Sequence, residues 1–261
     1  MAIIDEKPVK FFWSHLPSHK HVKEKPGVIK LKVPPKTHVW ENTEEDGSSI
    51  NNSPFYFRKV RGDFEATVKV SAKMDTWLDQ CGILLEEARG IYSKVSLEYH
   101  EPPGDDDDDD GALRHYACCF VHPEEFQSER STTPYPGQFH LGDPRYSHKL
   151  VDTVSGGISS HKILWLKLAR LEGYIEANYS LDGKEWHKLK AARFSEAETL
   201  RIGIFGASPG GGEGFKCSFT NWEVVEDDDF SDADDMEEVD PKDSAAPSEG
   251  PQGDSDGDFS D

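Results

Sequence analysis

The chain has 261 residues, 35% of them hydrophobic, and a formal net charge of −21, which is room for one large all-β domain or two small ones. Its acidity is local: Asp105 to Asp110 supply six of the 50 acids and 226–261 supply sixteen more, opposed there by Lys242 alone, so the remainder holds 28 acids and 28 bases. No basic stripe is present to displace counterions from a phosphate backbone, which argues against nucleic acid, and no apolar run approaches the roughly 18 residues that span a bilayer. The opening Met1-Ala2-Ile3-Ile4-Asp5-Glu6 lacks the basic and then apolar regions of a secretory leader. Four cysteines, Cys81, Cys118, Cys119 and Cys217, form no C-x-x-C pair. Reduced thiols in a cytoplasmic (or nuclear) protein are therefore expected.

Strand signals recur in chain order near Val28–Val33, Phe55–Lys59 and Asp63–Lys73. The third alternates almost without fault: Phe64, Ala66, Val68, Val70 and Ala72 fall on one face, Glu65, Thr67, Lys69, Ser71 and Lys73 on the other. That is the period of a strand with one buried side. Further strands are expected at Gly82–Ala88, Ser93–His100, Ala112–Val121, Ile163–Leu171, Tyr174–Leu181, Trp186–Ala191, Leu200–Gly206 and Phe215–Val225. Asp182-Gly183 marks a hairpin between two of them. No long helical period occurs, and Ser195 to Leu200 reads as a loop turn. Many short strands with Gly and Pro punctuation predict an all-β two-sheet sandwich. Two long connections interrupt it, 101–111 with its six aspartates and 123–160. Beyond about Val225, residues 226–261 have the composition of a disordered acidic tail.

Several residue groups together resemble the DUF1349 family, which includes the fungal regulation-of-enolase protein and belongs to the concanavalin A-like jelly-roll group. They are Phe12-Trp13, Thr37-His38-Val39-Trp40, Gly62-Asp63-Phe64, Asp79-Gln80-Cys81-Gly82 (usually Asp-Gln-Ala-Gly in the family), Lys94 with Leu97-Glu98-Tyr99, Ser180-Leu181-Asp182-Gly183 with Trp186, and Ala207-Ser208-Pro209. The resemblance implies a jelly-roll β-sandwich over residues 8–225. It also implies a non-catalytic regulatory protein with a partner such as enolase. His38 stands where the family usually has Asp, and 123–160 replaces a much shorter connection.

The residues themselves offer one candidate site. Lys94, Ser96 and Glu98 share a strand face, and a hairpin pairing Asp79–Ala88 with Tyr92–His100 would bring Gln80 or Asp79 near Glu98. Such mixed donors and acceptors on a concave sheet suit sugar hydroxyls, with Trp40 and Trp77 as aromatic platforms. The plainer reading is a polar surface with one Lys–Glu pair. Trp165 and Trp186, flanking the hairpin, read as packing. A hydrolase needs two carboxylates about 5–9 Å apart, and no E-x-D-x-E run occurs, so an enzyme is not expected. No cofactor motif is present: Gly210-Gly211-Gly212 lacks a following Lys and helix. His15, His19 and His21 lack a fourth ligand, and the aspartate run aligned as an EF-hand puts Ala117 at its twelfth position, so no metal is expected. Ser231 and Ser255, each with an acid three residues on, are candidate phosphorylation sites.

Overall fold

The computed structural model describes residues 10–39, 52–87, 91–100, 113–122, 146–151, 161–210 and 212–226. Trp40, Ser231, Ser255, the loop 101–111 and the tail beyond Glu226 lie outside them. In chain order the strands are β1 (Phe12–Ser14), β2 (Val22–Lys25), β3 (Val28–Val33), β4 (Phe55–Arg61), β5 (Phe64–Lys73), β6 (Asp79–Glu86) and β7 (Tyr92–His100). They continue with β8 (Arg114–His122), β9 (Tyr146–Leu150), β10 (His161–Leu171), β11 (Tyr174–Ser180), β12 (His187–Arg193), β13 (Thr199–Ala207) and β14 (Phe215–Glu226). One 3-10 turn, His19–His21, is the only helical element among the described residues, and none there is long and apolar enough to cross a membrane.

The strands make two antiparallel seven-stranded sheets, β1-β4-β13-β6-β7-β8-β9 and β12-β11-β10-β5-β14-β3-β2. The molecule is a concanavalin A-like jelly-roll sandwich. Its core forms where the inward residues of the two sheets meet. Ala66, Val68 and Val70 of β5 and Leu164, Leu166 and Leu168 of β10 face Cys81, Ile83, Leu85, Val95, Leu97, Ala117 and Cys119. Each fully buried aliphatic side chain contributes about 1.5–3 kcal/mol. Buried arginines tie off the ends. Arg170 donates to the carbonyls of Gly62, Ser195 and Ala197, and Arg58 pairs with Glu226 at 2.8 Å. In the β11–β12 hairpin, Asp182 accepts the amides of Glu185 and Lys184 and the Ser180 hydroxyl. Those bonds hold its carboxyl at about 2.

All eleven expected strands are present, and three more were not foreseen. β1 and β2 are too short to show a period. β9 lies within 123–160, so that segment is not simply a connection. It adds an edge strand, with Tyr146 paired to Phe120 and Leu150 to Tyr116. β6 starts three residues earlier than expected, directly after a turn in which Leu78 takes a φ of 66°.

The first sheet is covered on both faces. Its outer face, away from the second sheet, carries a second apolar cluster of Val39, Phe55, Leu78, Leu84, Tyr92, Phe120, Phe205 and Ala207. For that reason β6 is buried at all eight positions, whereas β5 alternates.

Candidate functional site

The outer face of the first sheet combines that apolar cluster with a polar one. On β7, Val95 and Leu97 enter the core, so Lys94, Ser96, Glu98 and His100 point outward. The β6–β7 register sets Gln80 opposite Glu98 and Leu84 opposite Lys94. On the other side β8 sets Cys118 opposite Ser96 and Phe120 opposite Lys94, and β9 sets His148 opposite Cys118.

Lys94 Nζ donates to Gln80 Oε1 at 2.5 Å and lies 2.8 Å from Glu98 Oε1. Ser96 Oγ donates to the same carboxylate oxygen at 2.6 Å, and Gln80 Nε2 donates to the Leu78 carbonyl at 3.2 Å. Both charges are out of solvent, with Lys94 and Glu98 each 1% exposed. Burial by itself would raise the Glu98 carboxyl. The charges of Lys94 and His100 and the hydrogen bonds from Lys94 and Ser96 outweigh it and hold the group below its ordinary value.

The second carboxylate oxygen turns the other way. The Tyr146 hydroxyl lies 3.4 Å from Glu98 Oε2, 3.2 Å from His100 Nε2 and 2.9 Å from Cys118 Sγ. Cys118 Sγ is 3.7 Å from His100 Nε2. The His100 ring stacks on Tyr116 with centroids 4.2 Å apart. Burial pushes both the Cys118 thiol and the Tyr146 phenol well above their ordinary values. Glu98, His100 and Cys118 each offer a ligand atom, all within 4.8 Å of one another, the one such group among the described residues. His15 and His21 are not part of one.

Of the residues expected at the site, Gln80, Lys94 and Glu98 converge and Asp79 does not. Asp79 sits opposite Tyr99, on the alternate face from Gln80. Its Oδ2 accepts the amides of Asp75 and Thr76, and its Oδ1 accepts the Ser208 hydroxyl at 2.6 Å. The Ser208 amide in turn donates to Thr37 Oγ1 at 2.9 Å, and that hydroxyl donates to the Pro34 carbonyl. Three groups far apart in the sequence, at Thr37-His38, Asp79 and Ala207-Ser208, thus meet in one structural knot. Asp79→Ala is expected to cost about 2 kcal/mol by stranding these donors, measured as a shift in the urea midpoint. A variant as stable as wild type would rule out the anchoring role.

Trp77 is 37% exposed on the turn before β6, and its carbonyl abuts Gly210. It is not among the residues that make up the polar cluster. Trp165 packs beneath Gly183 of the hairpin, and Lys167 Nζ lies 4.7 Å over the Trp186 ring; both tryptophans pack, as expected. Glu86 is the next acid along the outward face of β6, but Arg201 pairs with it at 3.0 Å. It stands six residues from Gln80, about 20 Å along the strand from the level of Glu98, too far for a glycosidase pair.

Sequence reasoning missed His100, Cys118 and Tyr146. The first continues the Lys94-Ser96-Glu98 alternation by one step. The second is adjacent to Cys119, so strand alternation sets the two side chains on opposite faces; Cys119 lies in the core. Tyr146 carried no signal, because its strand is short and follows a long polar segment.

The model of the family described as "protein of unknown function (DUF1349)" matches residues 13–103 and 146–227. No curated protein matches the chain. Among solved structures, a functionally unknown protein from Saccharomyces cerevisiae superposes with TM-score 0.58 at 18% identity, over 82% of this chain and 95% of that one. A GH43 protein from Bacillus licheniformis gives TM-score 0.52 at 17% identity, over 85% of this chain and 38% of that one. The xyloglucan PUL GH43B of Bacteroides ovatus gives TM-score 0.52 at 13% identity, again over 85% and 38%. At these identities the likeness is one of fold, and this chain spans well under half of either GH43 protein.

Proposed function

The chain belongs to the DUF1349 family of proteins of unknown function, and we propose that this member is a cytoplasmic regulatory protein that works by binding and not by catalysis. One observation carries the reading. Among the described residues the outer-face cluster contains a single carboxylate, Glu98, and it is ion-paired to Lys94 at 2.8 Å with its pKa held down. A general acid for glycoside cleavage needs a raised pKa and a second carboxylate within reach, and the arrangement around Glu98 favours neither. The partner that best fits the family resemblance is a glycolytic enzyme, with enolase first. Titrating purified enolase with the full-length chain is expected to give a saturable complex and a changed enolase turnover. No complex by calorimetry and unchanged turnover would remove enolase as the partner.

A second reading, carbohydrate on the outer face of the first sheet, is favoured by one feature. On that face Phe120 sits opposite Lys94 and Tyr92 is the neighbouring outward residue of β7, an apolar and polar mixture suited to sugar rings. All of these side chains are buried, so a sugar reaches them only where that face opens. Calorimetry with xylose and xylo-oligosaccharides decides it: binding that Glu98→Gln abolishes supports this reading, and no heat sinks it.

A further inference from the structure

Four different donor atoms surround one point where β7, β8 and β9 run side by side. Glu98 and His100 come from alternate positions of β7, Cys118 from β8 and Tyr146 from β9. We propose that Glu98, His100, Cys118 and Tyr146 form a closed, four-ligand Zn²⁺ site. The proposal goes beyond the binding reading above and holds whatever partner the protein takes.

Three of the six edges lie close to tetrahedral values, a fourth is shorter, and the edges from Glu98 to His100 and to Cys118 lie within 4.8 Å. Zn–S near 2.3 Å and Zn–N and Zn–O near 2.0–2.2 Å place neighbouring ligand atoms about 3.3–3.6 Å apart. Tyr146 Oη to His100 Nε2 is 3.2 Å, Tyr146 Oη to Glu98 Oε2 is 3.4 Å, and His100 Nε2 to Cys118 Sγ is 3.7 Å. The Tyr146–Cys118 edge, 2.9 Å, has to open by roughly half an ångström to reach that range.

The donor set and its surroundings agree with that assignment. Thiolate and imidazole favour Zn²⁺ over Mg²⁺ or Ca²⁺, which take oxygen ligands. Glu98 Oε1 is already held by Lys94 and Ser96, which orients Oε2 toward the other three donors, the usual task of groups behind a metal ligand. Charge also balances. Carboxylate, thiolate and phenolate against one ammonium and one divalent ion sum to zero, a requirement for a site this far from solvent. Filled by four protein atoms, the ion leaves no position for a reacting water. Its role is to fasten the edge strand β9 to β7 and β8.

The test uses the full-length chain after chelator treatment, titrated with Zn²⁺ and, as a spectroscopic probe, with Co²⁺. One equivalent of Zn²⁺ is expected to bind and raise the thermal midpoint. Co²⁺ is expected to show tetrahedral visible absorption with a near-ultraviolet thiolate-to-cobalt band, which acidic residues elsewhere in the chain cannot produce. Cys118→Ser removes that band and weakens Zn²⁺ binding by about 100-fold. Tyr146→Phe, which removes a ligand atom and leaves the thiolate, keeps the band and weakens binding by at least the roughly tenfold seen when groups behind a metal ligand are lost. Cys119→Ser, whose side chain faces the core, and His21→Ala leave both unchanged. Absence of stoichiometric Zn²⁺ binding by folded wild type, or a thiolate band that survives Cys118→Ser, overturns the proposal. Should Cys118→Ser fail to fold by circular dichroism, His100→Gln decides: unchanged Zn²⁺ affinity in that variant overturns it equally.

Discussion

Lys94→Met is expected to destabilise the metal-free protein by about 3–5 kcal/mol, the usual loss when one partner of a buried ion pair is removed. The size of the effect comes from what remains. Glu98 is 1% exposed, and without the ammonium 2.8 Å away it loses its nearest charge while its Oε1 retains the Ser96 hydroxyl. Gln80 Oε1 loses its donor as well. Removing both charges is a different matter. Lys94→Met with Glu98→Gln is expected to recover most of the loss, because a neutral amide beside Ser96 carries no desolvated charge. Replacing whole buried pairs is often neutral or better. A double-mutant cycle by chemical denaturation measures the coupling directly. A loss below about 1 kcal/mol for Lys94→Met, the level of an exposed pair, would mean that water reaches the site.

The contrast between β5 and β7 shows what the sequence makes legible. On β5, Phe64 to Ala72 alternate with Glu65 to Lys73 because one face meets the core and the other meets solvent. Hydrophobicity there tracks burial, and the strand, its facing and the all-β class follow from pattern alone. On β7, Lys94, Ser96 and Glu98 look equally like a solvent face, yet they are as buried as Val95 and Leu97. Pattern cannot distinguish a polar face in water from one whose hydrogen bonds are completed by its neighbours. The Lys94–Gln80–Glu98 convergence is half legible, since it needs only a hairpin register between adjacent strands. The Tyr146 contact is not legible, because it depends on a five-residue edge strand separated from β8 by 23 residues of polar sequence. Asp79 errs in the opposite direction: a carboxylate next to Gln80 looks functional by proximity, but strand alternation turns it toward Ser208 and the Thr76 turn.

Gly82→Ala is expected to cost about 3 kcal/mol, at the upper end of what overpacking usually does. A Cβ at this position would lie 2.1 Å from the Val95 carbonyl oxygen and 2.7 Å from Ser96 Cα. Both belong to the backbone of β7, so no change of rotamer relieves the contact. β7 cannot retreat either, since β8 pairs along its whole length. Gly206→Ala makes the informative comparison. Its Cβ would meet the Val33 Cγ2 methyl at 2.5 Å, a side chain that can shift, and a smaller loss is expected. Equal losses for the two alanine variants, or a Gly82→Ala protein within 1 kcal/mol of wild type, would show that β6 and β7 are not held this close. The same distances account for the whole Asp-Gln-Cys-Gly run. Asp79 holds the preceding turn to Ser208, Gln80 reaches outward to Lys94, and Cys81 fills the core. Gly82 then lets β6 and β7 approach closely enough for Gln80, Lys94 and Glu98 to touch. Each residue type answers a different local demand, and substituting the glycine is expected to disturb the polar cluster without removing any of its side chains.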